Sequence, residues 1–468
     1  MSLAVPRPAA IRAVLALLCP AMLAACAAVS PPASDAGEAE REAFASTYTA
    51  RPGEPLLIVG ATLLTGDGAR LDEAQIYFAD GIIQAVGREL QVPAGVRRMD
   101  ARGKWITPGL IDVHSHLGNF PGPAALAHQD GNEMSGPNTA EAWAEHSVWP
   151  QDPAINTARA GGVTSFHVLP GSANLFGGRG VTLKNVPART AQEMKFPGAP
   201  HSLKMACGEN PKRLYGGQGK APMTRMGSMA GYRQAWSEAR EYIDKQEKAA
   251  QGKGEPPPRN LRLDTLAGVL RGEIIVQNHC YRADEMANMI DLAREFGYHP
   301  GNFHHAVEAY KVADLLAEAG MCAAMWADWW GFKLEAWDAT RENVAMVDAA
   351  GVCAIVHSDS ALGIQRLNQE TAKIMGAARR AGLPVSPEHA IRWVTSNSAK
   401  ALGIAERTGT LAAGKMADVV VWSGNPFSVY TMAEQVYVDG ALVYDRHDPA
   451  HQPKSDFELG MIAAGGGQ

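Results

Sequence analysis

The chain has 468 residues, 46% hydrophobic and 20% charged, an ordinary globular composition with ample material for a large core. Its formal net charge of −6 gives no reason to expect nucleic acid as a partner. Charge alone speaks only to solubility.

Arg7 and Arg12 lead into the apolar run Ala13-Val-Leu-Ala-Leu-Leu and then Leu23-Ala-Ala-Cys26. A basic start, a short apolar core and small residues before a cut site read as a secretory signal, too short to span a bilayer. The cysteine after Leu-Ala-Ala resembles the bacterial lipobox. Residues 1–26 are therefore expected to be a lipoprotein signal peptide with Cys26 lipidated and inserted in a membrane, although a plain secretory signal is the simpler alternative. Alanine at position 27 points to the outer membrane, facing the periplasm. Residues 27–51, rich in Ala, Ser, Pro and Glu, read as a flexible tether. Exported proteins can form disulfides. Yet Cys207, Cys280, Cys322 and Cys353 sit in or beside strand-like apolar runs with no close pair, so four free buried thiols are expected.

From Pro55 come short alternating runs at 56–59, 75–78 and 82–86, with Asp80-Gly81 marking a hairpin. Runs at 419–422, 435–438 and 441–444, with Asp439-Gly440, repeat this character near the other end. Residues 52–107 and 408–446 thus predict one small composite β-sandwich, and 447–468 a flexible tail. Between them, residues 108–407 alternate strand-like runs (162–169, 203–207, 274–279, 302–305, 321–325 and 352–356) with helical stretches (283–296, 309–319 and 339–350). Repeated strand–helix units of this extent predict an α/β fold, a parallel (β/α)₈ TIM-type barrel whose site lies where its strands end.

Histidines stand at those ends. Leu110-Ile-Asp-Val runs into His114 and His116, which a strand would point to one face. His279 follows 274–278, His304 and His305 follow Asn302-Phe303, and His357-Ser-Asp359 follows 353–356. Imidazoles and a carboxylate converging on the open face of a barrel form an N/O metal site. No G-x-S-x-G elbow and no phosphate-binding G-x-x-x-x-G-K-[ST] loop offers a rival chemistry.

These residues resemble the amidohydrolase superfamily of metal-dependent hydrolases. The resemblance is carried by Pro108-Gly-Leu-Ile-Asp-Val-His-Ser-His116, His279, His305, Asp359 and the closing segment Gly409–Trp422, and it spans about Pro55 to Tyr444. Asn132-Glu-Met, Leu169-Pro-Gly-Ser-Ala-Asn174, Gly177-Gly and Lys204–Lys212 resemble the imidazolonepropionase-related, prolidase-like exported branch. The resemblance implies one or two divalent metals, most simply zinc. His114 and His116 would bind one, and His279 and His305 the second metal or the substrate. His305-Ala-Val-Glu-Ala-Tyr310 matches the family's sixth-strand pattern, which leaves His304 facing the other side. Asp359 would bind metal and take a proton from the attacking water, then pass it to the leaving nitrogen. On the fourth strand either Lys204, carbamylated, or Glu209 would supply the remaining ligand, the alternative being that neither does and Lys204 forms an ion pair in the barrel interior. Tyr281 and His357 are assigned to substrate, with orientation of Asp359 as a second role for His357.

The implied activity is hydrolysis of a C–N amide bond in a small peptide, an acylated amino acid or a cyclic amide. A metal-dependent deaminase and a non-catalytic ligand-binding surface lipoprotein are the alternatives. Three weaker features remain. Gly171–Gly180 reads as a tight turn or an anion-cradling loop, and residues 210–260 as an insertion that could form a lid for an acidic substrate. Trp326, Trp329 and Trp330 line a pocket or pack in the core. Oligomeric state is not legible.

Overall fold

The computed structural model describes residues 43–122 and 124–453, and the compact unit begins at Ser46. Cys26 and the expected signal at 1–26 lie outside the described residues, with most of the tether and tail. The tether is shorter than expected. Ser46 Oγ donates to the Lys195 carbonyl (2.7 Å) and Arg51 Nη2 to the Pro187 carbonyl (2.8 Å), which fixes residues 46–51 against the rest of the chain. The tail likewise starts later than 447, because Asp448 caps a 3₁₀ turn, Pro449–His451, by accepting from Ala450 N at 2.9 Å.

Sixteen strands form two sheets among the described residues. β1 (Leu56–Leu64), β2 (Arg70–Ala79), β3 (Ile82–Gly87), β4 (Arg97–Asp100) and β5 (Trp105–Pro108) come first. The barrel follows with β6 (Leu110–Ser115), β7 (Val163–Val168), β8 (Phe176–Lys184), β9 (Ser202–Ala206), β10 (Ile275–Cys280), β11 (Asn302–His305), β12 (Cys322–Met325) and β13 (Cys353–Val356). β14 (Val419–Trp422), β15 (Ala433–Val438) and β16 (Ala441–Asp445) end the chain.

The two chain ends do build one unit, but as a single sheet ordered β16-β15-β14-β5-β1-β2-β3 with β4 beside β1; the two layers of a sandwich are not distinguished by the pairing. The seam between the ends is β14 against β5, antiparallel. Both predicted hairpins form. Asp80 and Gly81 have φ of 53° and 80°, and Asp439 and Gly440 have 46° and 74°, the left-handed pair that a tight two-residue turn needs.

The barrel strands hydrogen-bond in chain order from β6 to β13, and most are buried along their whole length, as expected for strands covered on both faces. Past the strand ends, Asp359 N donates to the His114 carbonyl (3.1 Å), joining the last strand's exit to the first. One strand departs from the parallel plan. β8 is antiparallel to both β7 and β9. Only residues 169–175 separate β7 from β8, and a parallel return needs a crossover of roughly a dozen residues or more. The second half of the glycine-rich segment read as a turn or loop belongs to this strand, and the first half is the loop that leads into it. A Cβ on Gly178 would stand 2.3 Å from the Ala142 carbonyl oxygen, and one on Gly180 2.5 Å from Ser202 Oγ.

The cysteines correct a second expectation. They form two disulfides, Cys207–Cys280 (Cα–Cα 5.3 Å) and Cys322–Cys353 (4.4 Å). Both pairs are distant in sequence, but strand pairing makes them neighbours: Cys322 and Cys353 are partners in the β12–β13 register. No described helix is long and apolar enough to cross a membrane.

The barrel and the end sheet are joined by a buried charge cluster. Lys184 Nζ, fully buried at the end of β8, reaches Asp418 (3.0 Å) and Asp439 (2.7 Å), and Thr408 Oγ1 donates to Asp418 (2.8 Å). Burial raises the Asp439 pKa, the Asp418 charge adds to the rise, and Lys184 opposes it. Lys184→Met strips two buried carboxylates of their counter-charge, and urea unfolding is expected to show a loss of about 3–5 kcal/mol. A loss below about 1 kcal/mol would mean that the cluster does not hold the sheet to the barrel.

Candidate metal centre

The first histidine pair is set by β6. Its apolar residues are buried on both sides, and two-residue periodicity puts His114 and His116 on one face at its exit. Their Nε2 atoms are 3.3 Å apart, and Asp359 Oδ1 lies 3.5 Å from His114 Nε2 and 3.3 Å from His116 Nε2. His116 Nδ1–H donates to the Leu169 carbonyl (2.8 Å), leaving its Nε2 lone pair toward that carboxylate. His305 and His357 complete a second group with His114, and in each group the candidate ligand atoms lie within 4.8 Å of one another. His279 packs beside them, its ring 4.6 Å from that of His305.

Three non-glycine residues here have left-handed backbone: His305 (φ 70°), Ala306 (φ 31°) and Asp359 (φ 49°). Such conformations cost of order 1–3 kcal/mol each and persist where the surroundings dictate them. They break the strand alternation at the exits of β11 and β13. That explains why His304, expected to face away, also contacts His114: their rings are 4.6 Å apart, against 4.7 Å for His305 and His114.

Burial pushes His114, His279 and His305 well below the usual imidazole pKa, with Lys204 and the other histidines among the further contributions, and takes His357 down to about 3. The rings are therefore neutral, the form that ligates metal. Nδ1 of His279, His305 and His357 has no hydrogen-bond partner, nor has Lys204 Nζ, although all four atoms are buried. Buried polar atoms are normally paired. A cluster of unpartnered buried nitrogens beside a carboxylate fits a divalent metal. Burial takes Lys204 down to about 7, with the Asp359 charge opposing, so near neutrality much of it is the free amine that carbamylation requires.

Two supporting residues, Gln277 and Asp112, were given no role in the sequence reading. Gln277 Oε1 only accepts, so His304 Nε2–H donates to it (2.6 Å) and His304 Nδ1 accepts from His114 Nδ1–H (2.8 Å). This chain fixes the His114 tautomer with its Nε2 lone pair facing the site. Asp112 is fully buried and accepts from His114 N (3.1 Å), Ser358 N (3.3 Å) and Ser358 Oγ. Its place inside the Leu110–His114 run was the available signal.

Glu209 is not brought to the cluster. It begins the helix Glu209–Gly217 directly after Gly208, whose φ is 86°, and pairs instead with Lys333 (3.8 Å) and Arg213 (3.9 Å). Tyr281 is buried against the site, its ring 4.7 Å from His279 and 5.3 Å from His305. Trp326 stacks on His305 at 4.2 Å and Trp329 on Trp326 at 5.1 Å, so this part of the tryptophan cluster walls the site. In the insertion, Arg225 is held by Glu285 (2.9 Å) and Glu335.

Comparison with known proteins gives consistent likenesses. The model of the amidohydrolase family matches residues 265–444. An amidohydrolase, tasK of Hapsidospora irregularis, is 32% identical over 432 residues, covering 84% of this chain. The chain spans only 43% of that relative's length. An imidazolonepropionase of Mesorhizobium japonicum is 26% identical, over 75% of this chain and 87% of its own. Among solved structures, an amidohydrolase from Thermotoga maritima MSB8 superposes with a TM-score of 0.78 at 34% identity, over 84% of this chain and all of its own.

The depressed Lys204 pKa makes a signed prediction for the metal-free protein. The unfolded chain, with lysine near 10.5, binds more protons than the folded one between about 7 and 10.5. The Lys204 contribution to stability is therefore fully present above that upper value and is lost as pH falls toward about 7. Relative to Lys204→Met, wild type should gain urea-unfolding stability from pH 7 to 9.5. A difference between the two proteins that does not change with pH would show that Lys204 is an ordinary lysine.

Proposed function

Since this chain belongs to the amidohydrolase superfamily, we propose that it is a metal-dependent hydrolase that cleaves the C–N bond of a small peptide, an acylated amino acid or a cyclic amide. The observation that carries this reading is a pair of ligand groups that share His114, one with His305 and His357 and the other with His116 and Asp359, the ligand atoms of each lying within 4.8 Å of one another. His114 and His116 would hold one ion, and His279 and His305 a second. Lys204, carbamylated, would supply a further ligand; its buried, unpartnered Nζ supports this choice over Glu209, which is in neither ligand group. Zinc suits such a nitrogen and oxygen donor set. A divalent metal there lowers the pKa of a water to about 7 and polarises a carbonyl.

The chain's own residues do the rest. Asp359, whose carboxylate is 22% exposed, sits at the mouth where a substrate enters and accepts the proton of the attacking water at a carboxylate oxygen. It then returns the proton to the leaving nitrogen. Its backbone is fixed by the bond to the His114 carbonyl, so the base and the first ligand move together. His357 Nε2 accepts from His305 N (3.3 Å), which turns its unpartnered Nδ1 away from that bond and makes it available to substrate. Tyr281 and the stacked tryptophans would exclude water around an apolar group.

Export to the periplasm with a lipid anchor at Cys26 belongs to the same reading. Two disulfides are supporting observations, because disulfides persist in oxidising compartments.

Metal analysis of protein lacking residues 1–26 is expected to give about two equivalents per chain, falling in Lys204→Ala and unchanged in Glu209→Ala. Metal content that does not respond to Lys204→Ala would remove the carbamate ligand. Across a panel of small amides, Asp359→Asn should lower kcat by about 10²–10⁴ while folding is retained, and equal rates would dismiss Asp359 as the base.

A further inference from the structure

After β12 the chain runs from Trp326, whose ring stacks on His305, through residues 327–337, and this stretch is unusually apolar for a surface loop. Trp329, Phe332 and Trp337 are 41%, 56% and 63% exposed. Lys333 is the one cation within it, and it turns inward, its side chain only 15% exposed. The ammonium lies 3.9 Å from the centre of the Tyr281 ring and 5.8 Å from that of Phe332. Tyr281 is the residue packed on both His279 and His305. Lys333 Nζ also donates to Asn210 Oδ1 at 3.4 Å, while Asn210 Nδ2 stands 3.5 Å from His279 Nε2. A single side chain therefore separates the cation from a candidate metal ligand.

A lysine needed only for solubility would extend its flexible stem and keep the ammonium in water. Here the charge is desolvated on an aromatic face, a position that costs free energy unless an anion completes it. Glu209, Glu335 and Asp359 all act on it, but the one carboxylate within ion-pair reach completes it poorly. Glu209 is 3.8 Å away and is also 3.9 Å from Arg213, whereas a charge-assisted hydrogen bond closes to about 2.7–2.9 Å.

From this geometry we infer that Lys333 is the specificity-determining residue for a carboxylate on the substrate. The ligand is an N-acyl amino acid or the C-terminal residue of a small peptide, its carboxylate on Lys333 and its apolar side chain against Trp329 and Phe332. The inference rests on the hydrolase reading for treating the ligand as a substrate. It narrows the three substrate classes to those with a free acid beside the scissile amide.

The test is a calorimetric titration of N-acetyl-L-leucine and of N-acetyl-L-leucinamide into the metal-loaded protein and into Lys333→Met and Lys333→Arg. Wild type should bind the acid at least about tenfold more tightly than the amide. Lys333→Met should abolish that preference and Lys333→Arg keep it, with circular dichroism and metal content unchanged in both. Equal binding of acid and amide, no saturable binding of the acid, or a preference that survives in Lys333→Met overturns the inference; the last would mean that the carboxylate is taken by the metal. Amide cleavage is assayed in the same samples. Cleavage without a Lys333-dependent acid preference leaves the hydrolase reading standing and this inference fallen. Lys333-dependent acid binding without any cleavage keeps the subsite and overturns the hydrolase reading.

Discussion

A single buried carboxylate ties the scaffold to its chemistry. Asp112 lies wholly inside the barrel, where burial pushes its pKa up to about 7 against the pull of three hydrogen bonds. Two of those donors are on Ser358, beyond the last strand, and the third is the amide of His114 on the first. One side chain thus spans the closing seam of the sheet at the level where the candidate ligands emerge. Desolvating a carboxylate is expensive, and hydrogen bonds to its oxygens offset that cost only when all the donors are in register. Closing the barrel and setting His114 opposite Asp359 are consequently one event.

From that seam outward, support becomes progressively less direct. His114 is oriented from behind by His304 and Gln277, and His305 is steadied by the Trp326 ring stacked on it. Farther out, Lys184 joins the third barrel strand to the sheet made by the chain ends. Its partners come from Asp418, just before β14, and from the Asp439 turn, so the far end of the chain is anchored to the barrel through charge as well as apolar packing.

Much of this was legible in the sequence, for identifiable reasons. Strand exits marked by histidine combine an apolar run with a polar terminus, a contrast visible without coordinates. The Asp-Gly hairpins were visible because two consecutive left-handed residues leave few choices of side chain. What escaped depended on partners distant in sequence. The disulfides join cysteines 73 and 31 residues apart that only the strand register makes adjacent. The role of His304 required the positive φ of its neighbour, which propensity does not encode. Glu209 read as a ligand because of its proximity to Lys204 in sequence, but a helix starting at Glu209 carries it toward Lys333 instead. The reversal of β8 was implicit in the short link from β7, yet its glycines suggested a loop rather than a strand.

That reversed strand leaves one sector of the barrel without the helix a parallel connection would have supplied. The excursion between β6 and β7 runs along this strand instead. Asn138 and Trp143 bridge to Phe176 and Arg179, and the Ala142 carbonyl lies where a Cβ on Gly178 would have to go. Connecting segments accept insertion and sequence change far more readily than packed helices do. A lineage built on this scaffold can therefore remodel that flank of the mouth by lengthening or rewriting a loop. The strands that present His114, His305 and Asp359 would be untouched, so ligand preference can diverge while the chemistry is inherited.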